Sequence, residues 1–133
     1  MKKKILLIVL AVLISLAFFA CSSSGANTNV NIKEVGQNYI NDFFNNNFDN
    51  MVSGYNYDSA MKKAITKDFL KQTYDTVIAQ TGKVVSQGEI QQKTQSGYEF
   101  VYKVVTFENV KLTVNVAFDK NNKIAGFSFQ AAE

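Results

Sequence analysis

The spacing of apolar residues changes once along this 133-residue chain, at Lys83, and that change constrains the fold more than any other feature. Before it, apolar side chains recur every three or four positions, as on a helix with one buried stripe. After it they alternate, as on strands with one buried face. Ile32, Val35, Tyr39, Ile40, Phe43 and Phe44 form the first stripe and predict a helix over residues 30–47, ended by the poor helix formers Asn45, Asn46 and Asn47. Phe48 and Met51 suit a short helical turn folded back on that stripe, and Gly54-Tyr55-Asn56-Tyr57 reads as a turn. Asp58 or Ser59 can cap a short helix over 60–65. Thr66 caps the next, with Asp68 in its first turn, Phe69, Leu70, Tyr74, Val77 and Ile78 on one face, and Gly82 as its stop.

The alternating half predicts about four strands, over 83–93, 97–108, 110–119 and 123–131. Gln95-Ser96-Gly97 and 120–123 mark turns between them. In the third strand Val110, Leu112, Val114, Val116 and Phe118 point one way. In the second, Tyr98, Phe100, Tyr102 and Val104 share one face and Val101, Val105 and Phe107 the other, so both sides are apolar. Helices followed by antiparallel strands give an α+β class, with N-terminal helices on one face of a curved antiparallel sheet. Such a sheet wrapped around helices leaves a cone-shaped hollow.

The amino end gives location rather than fold. Lys2, Lys3 and Lys4 precede an apolar run from Ile5 to Ala20, and the single cysteine, Cys21, follows it. Sixteen helical residues span about 24 Å, whereas a membrane core of about 30 Å asks for about 20. The run therefore reads as a secretory leader rather than a span. With Ala20 and Cys21 in its last two positions, it resembles a bacterial lipoprotein signal. The expectation is a signal peptide over 1–20, a diacylglycerol and an N-acyl chain such as palmitate on Cys21, and a small polar tether over 22–29. The domain over 30–133 would then sit on the extracytoplasmic face of the cell membrane, held by its lipid.

Composition removes several function classes. Taking the three leader lysines from the total of 14 basic residues leaves 11 lysines against 11 carboxylates. The net charge of +3 thus belongs to the leader, and a nucleic-acid partner is not expected. The chain has no His and no Arg, which takes away the commonest general base and the bidentate anion fork. A single Cys leaves no intrachain disulfide. No metal motif is present, and no cofactor is expected beyond the covalent lipid.

The stretch from Phe48 to Phe129 resembles the uncharacterised bacterial domain family DUF3887, whose fold is NTF2-like. The resemblance rests on Phe48, Asp49 and Met51, on residues 59–65 (Ser-Ala-Met-Lys-Lys-Ala-Ile) and on residues 78–90, which include Gly82 and Gly88. It continues through Val101-Tyr-Lys-Val-Val-Thr-Phe107, Val116-Ala-Phe-Asp119 and Lys123-Ile-Ala-Gly-Phe127. These are structural motifs. They imply a small extracytoplasmic domain, found alone behind a lipoprotein signal or ahead of an α/β-hydrolase domain; the chain carries no Gly-x-Ser-x-Gly elbow. A related fold does not fix a function.

Two sets of side chains are candidates for a site. Tyr39, Asp42, Phe43, Tyr74, Tyr98 and Tyr102 are expected to line a pocket in the cone, where a small apolar ligand would sit. Val101, Phe107, Phe127 and Phe129 are expected to form an apolar patch for a protein partner or a second copy. The function expected is a lipid-anchored, non-enzymatic binding or interaction module. The alternatives are a small enzyme that uses a cone-mouth carboxylate such as Asp42 with a tyrosine, and an accessory subunit of a separately encoded envelope hydrolase.

Overall fold

A computed structural model describes residues 30–132. Cys21, the leader and the tether lie outside the described residues. The first helix, α1 (Ile32–Phe44), starts at Asn31, whose side chain accepts from the Glu34 N–H at 3.2 Å. Its end is a built turn rather than simple loss of propensity. Asn46 takes a left-handed φ of 61°, its N–H donates to the Phe43 carbonyl at 3.1 Å, and the Asn47 N–H donates to Asp42 at 2.8 Å. Those two bonds satisfy carbonyls the helix would leave open, and asparagine tolerates the conformation.

Helix α2 (Phe48–Ser53) turns back on α1. Helix α3 (Ser59–Ala64) is capped by Asp58, which accepts from Met61 at 2.8 Å; α4 (Lys67–Thr81) is capped by Thr66, which accepts from Phe69 at 3.1 Å. Gly82 stops α4 at a φ of 85°, where a Cβ would also lie 2.8 Å from the Cβ of Glu108. The buried face of α4 holds Leu70 and Val77, and also Thr73 and Thr81. Each threonine hydroxyl donates to the carbonyl four residues earlier, at 2.8 and 2.7 Å, so burial leaves no open donor.

The sheet has five antiparallel strands: β1 (Val84–Gln87), β2 (Gln91–Gln95), β3 (Tyr98–Phe107), β4 (Lys111–Phe118) and β5 (Ile124–Ala131). The strand expected over 83–93 is two pieces, which corrects the count from four to five. β1 and β2 lie end to end along one edge of β3, with the chain bulged at 84–86 and broken at 88–90. Gly88 still donates to the Val104 carbonyl at 2.8 Å. A bulge and a break on one edge bend a sheet without losing its partner strand. The β2–β3 turn places Ser96 and Gly97 at φ of 55° and 84°, as a two-residue hairpin requires.

α1 lies across β3 and β4, α4 packs on α2 and α1, and α3 sits beside β5. Residues 56–58 pair with the start of β5, where Asp58 donates to the Ile124 carbonyl at 3.0 Å and Ile124 donates to Asn56 at 2.8 Å. The core fills the space between helices and sheet. It draws Tyr39, Ile40, Phe43, Met51, Met61 and Leu70 from the helical half and Val101, Val105, Val114, Val116 and Phe118 from the strands. Closest approach falls at Gly36, whose absent side chain makes room for Val101.

Candidate functional site

Three tyrosines and one carboxylate meet where α1, α2 and the loop after α2 converge. The turn that ends α1 and the helix that follows it bring Asn47 and Asn50 to Asp42. Asn47 Nδ2 donates to Asp42 Oδ1 at 3.1 Å and Asn50 Nδ2 to Oδ2 at 2.7 Å. The Tyr55 hydroxyl donates to Oδ2 at 2.6 Å. Behind Tyr55, the ring of Tyr39 stands edge-on at 4.9 Å. Tyr39 and Tyr57 hydroxyls are 3.0 Å apart, and the Tyr57 hydroxyl also contacts the Met51 carbonyl. A carbonyl can only accept and a phenol has one proton, so Tyr57 donates to Met51 and Tyr39 donates to Tyr57.

Burial raises the pKa of all three phenols. Tyr39 is pushed well above its ordinary value by desolvation and by its tyrosine neighbours. Tyr55 is raised by desolvation and by its bond to the Asp42 carboxylate, which disfavours a second negative charge. Tyr57 is pushed up to about 12, again mainly by desolvation. The cluster therefore holds neutral phenols around one carboxylate that already accepts three hydrogen bonds. Its evident action is to tie α1, α2 and the 54–57 loop together.

These shifts set an alkaline limit. A phenol whose folded value exceeds its unfolded value of 10.0 stabilises the fold fully below pH 10 and loses that contribution as pH rises towards the folded value. Stability is expected to fall steeply above pH 10, with the phenolate absorbance of the three tyrosines appearing together with loss of the far-ultraviolet dichroism. Phenolate absorbance of all six tyrosines complete ahead of unfolding would contradict the cluster.

The six expected pocket residues divide between the two faces of the sheet. Tyr39, Asp42, Phe43 and Tyr74 gather on the helical side. Tyr39 and Phe43 are fully buried and their rings sit edge-on at 5.1 Å from Phe127; Tyr74 lies 5.6 Å from Phe43. Tyr98 and Tyr102 belong to the outer face of β3 instead, which corrects their assignment to the cone. Their inward neighbours are Val101, Lys103 and Val105, all buried, and the two-residue period sends the tyrosines the other way. The expected interface patch is corrected as well: Val101, Phe107, Phe127 and Phe129 are all buried against the helices, at most 6% exposed. The cone is occupied by the protein's own rings.

The outer face carries Tyr98, Phe100 and Tyr102 in a half-buried row, with the first two rings 6.5 Å apart. Lys93 on the paired strand holds its ammonium 5.3 Å over the Tyr102 ring. Asn115, opposite Tyr102 on β4, is 8% exposed, and its Nδ2 has no hydrogen-bond partner.

One polar group escaped the sequence reading. Lys103 faces inward, 5% exposed, with Nζ donating to Gln87 Oε1 at 2.7 Å and Asn41 Oδ1 at 3.3 Å. Desolvation lowers its affinity for a proton, and its partners are neutral amides. The only available signal was a lysine standing at an inward position of β3, between Val101 and Val105. Among the described residues, no group of three or more His, Cys, Asp or Glu is placed to hold a metal ion, and no helix is long and apolar enough to cross a membrane.

The architecture is that of a small α+β module, with helices filling the concave side of an open antiparallel sheet and a tyrosine-carboxylate knot at the helix junction. The family model described as a protein of unknown function, DUF3887, matches residues 36–127, and the chain belongs to that family. No curated protein and no solved structure matches the chain.

Proposed function

We propose that the chain is a lipid-anchored, non-catalytic binding module on the extracytoplasmic face of the membrane, and that it meets its partner with the outer face of its sheet. The observation that carries this reading is the filled cone. With Tyr39, Phe43, Phe127 and Phe129 packed ring to ring inside, and the partly exposed Phe44, Tyr55, Phe69 and Tyr74 packed against that core, the partly exposed aromatic side chains that do not pack on it are Tyr98, Phe100 and Tyr102. The occupied Asp42 supports a structural role for that carboxylate over the enzymatic alternative, because donors already take three of its about four acceptor sites. The anchor rests on the leader and Cys21.

Two measurements test the two halves. Labelled palmitate is expected to mark the wild-type protein and not Cys21→Ser; equal labelling of the variant rejects the anchor. Soluble residues 22–133, which contain the whole described fold, are expected to sediment with purified cell envelopes. Tyr98→Ala/Tyr102→Ala is expected to stay in the supernatant at unchanged melting temperature. Equal sedimentation of the two forms rejects the outer face as the binding surface.

A further inference from the structure

The outward positions of the sheet can be read from the strand register, because directly paired residues project to the same side. Lys93 pairs with Phe100 and Gln91 with Tyr102 on one flank of β3. Asn115 pairs with Tyr102 and Lys111 with Thr106 on the other. Ser128 and Gln130 continue the surface onto β5, opposite Asn115 and Thr113. The face is therefore an aromatic row set in amides and hydroxyls. Its charged members are Lys93 and Lys111, and none of these outward strand positions bears a carboxylate. Glu99 lies on the opposite side of β3, at its solvent-exposed end, where it accepts from Gln92 at 3.1 Å and Thr94 at 2.7 Å. Asp119 and Glu108 are spent on turn amides, Asp119 on Asn121 and Lys123 and Glu108 on Lys83.

Two features of this face ask for the same ligand chemistry. Half-exposed phenol and phenyl rings spaced along a strand are platforms for flat, partly apolar rings such as the C–H faces of pyranose sugars. Two cations that make no ion pair among the described residues ask for negative charge. Apolar rings and anionic groups occur together in an acidic polysaccharide. A second copy of the chain fits less well, since it brings two more lysines to the interface and no carboxylate from the outward strand positions.

From these observations we infer that the outer sheet face binds an anionic polysaccharide. Sugar rings would stack on Tyr98, Phe100 and Tyr102, and acid groups would sit by Lys93 and Lys111. The inference rests on the binding-module reading and names the partner for that surface.

Affinity electrophoresis of residues 22–133 through gels containing polygalacturonate tests it. Retardation by polygalacturonate, and not by neutral dextran, is expected. Tyr98→Ala/Tyr102→Ala is expected to weaken it about tenfold or more, the loss of two stacking contacts. Lys93→Gln/Lys111→Gln is expected to flatten its salt dependence. Retardation equal in dextran, retardation unchanged in both double variants, binding confined to phosphatidylglycerol vesicles, or self-association by sedimentation in place of retardation would each overturn the assignment. If wild-type protein sediments with envelopes yet ignores polygalacturonate, the polysaccharide class is wrong and the binding-module reading survives. If it does neither, both fall.

Discussion

Phe43→Ala is expected to cost about 4 kcal/mol, the loss typical of deleting a fully buried aromatic ring. Phe43 is 0% exposed, and its ring meets those of Phe44, Phe48, Tyr74, Phe127 and Phe129 at centroid distances between 5.1 and 6.1 Å. It joins α1 to α2, α4 and β5, so no single neighbour can move in and fill the space. The whole net stability of a domain this size is about 5–15 kcal/mol. A loss of that order lowers the melting temperature by about 20 °C and moves the urea midpoint in proportion. Phe44→Ala, on the half-buried edge of the same helix, is the control and is expected to cost less than half as much. The comparison bears directly on function. If Phe43→Ala costs under about 1 kcal/mol, its ring lines an open space rather than filling a core, and a ligand pocket in the cone becomes the better reading.

The helical half was legible because its signals are local. Asp58, Thr66 and Gly82 act through bonds to residues within four positions, and the expected caps and stop stand where the sequence puts them. The strand half was legible in period but not in which face turns inward. β3 is apolar on both sides, so its own sequence cannot choose. The choice is made by its neighbour: β4 has a clean apolar face, and the pairing Val116 with Val101 and Val114 with Lys103 forces those β3 residues to share it. That register is a long-range fact. Without it, Tyr98 and Tyr102 read as readily into the cone as out of it, Val101 and Phe107 read as surface, and Lys103 reads as a solvated residue.

The Asp42 knot was half visible for the same reason. Asp42 and Tyr39 were marked by their place beside the apolar stripe of α1. Tyr55 and Tyr57 lie in a segment whose sequence says only that it turns, and nothing local aims their hydroxyls at Asp42 and Met51. The Asn run shows how a signal can be right for an incomplete reason. It does end the helix, but through the left-handed Asn46 and through Asn47, whose side chain then reaches back to the carboxylate. Weak helix propensity predicts the stop without the bond.

Gly36→Ala is expected to destabilise the domain by about 2 kcal/mol, against the direction that helix propensity alone would give. In the interior of a solvated helix, alanine is better than glycine by about 1 kcal/mol. Here a Cβ would stand 2.5 Å from Val101 Cγ1 and 2.7 Å from Val101 Cβ. Val101 is fully buried on β3 and paired on both sides, with Gln92 and Val116, so it cannot retreat cheaply. Overpacking of this kind costs about 1–3 kcal/mol once the backbone has shifted, and the shift would part α1 from the sheet. A double-mutant cycle isolates the cause. Val101→Ala alone is expected to cost about 2 kcal/mol from lost burial and the space left behind. In the Gly36→Ala background the same change relieves the clash, so the pair is expected to cost at least about 1 kcal/mol less than the two losses added. Simple additivity, or a stabilised Gly36→Ala, would mean that α1 does not rest on β3 through this contact. The inward face of β3 would then be in question, and with it the outward row of Tyr98, Phe100 and Tyr102 on which the binding surface depends.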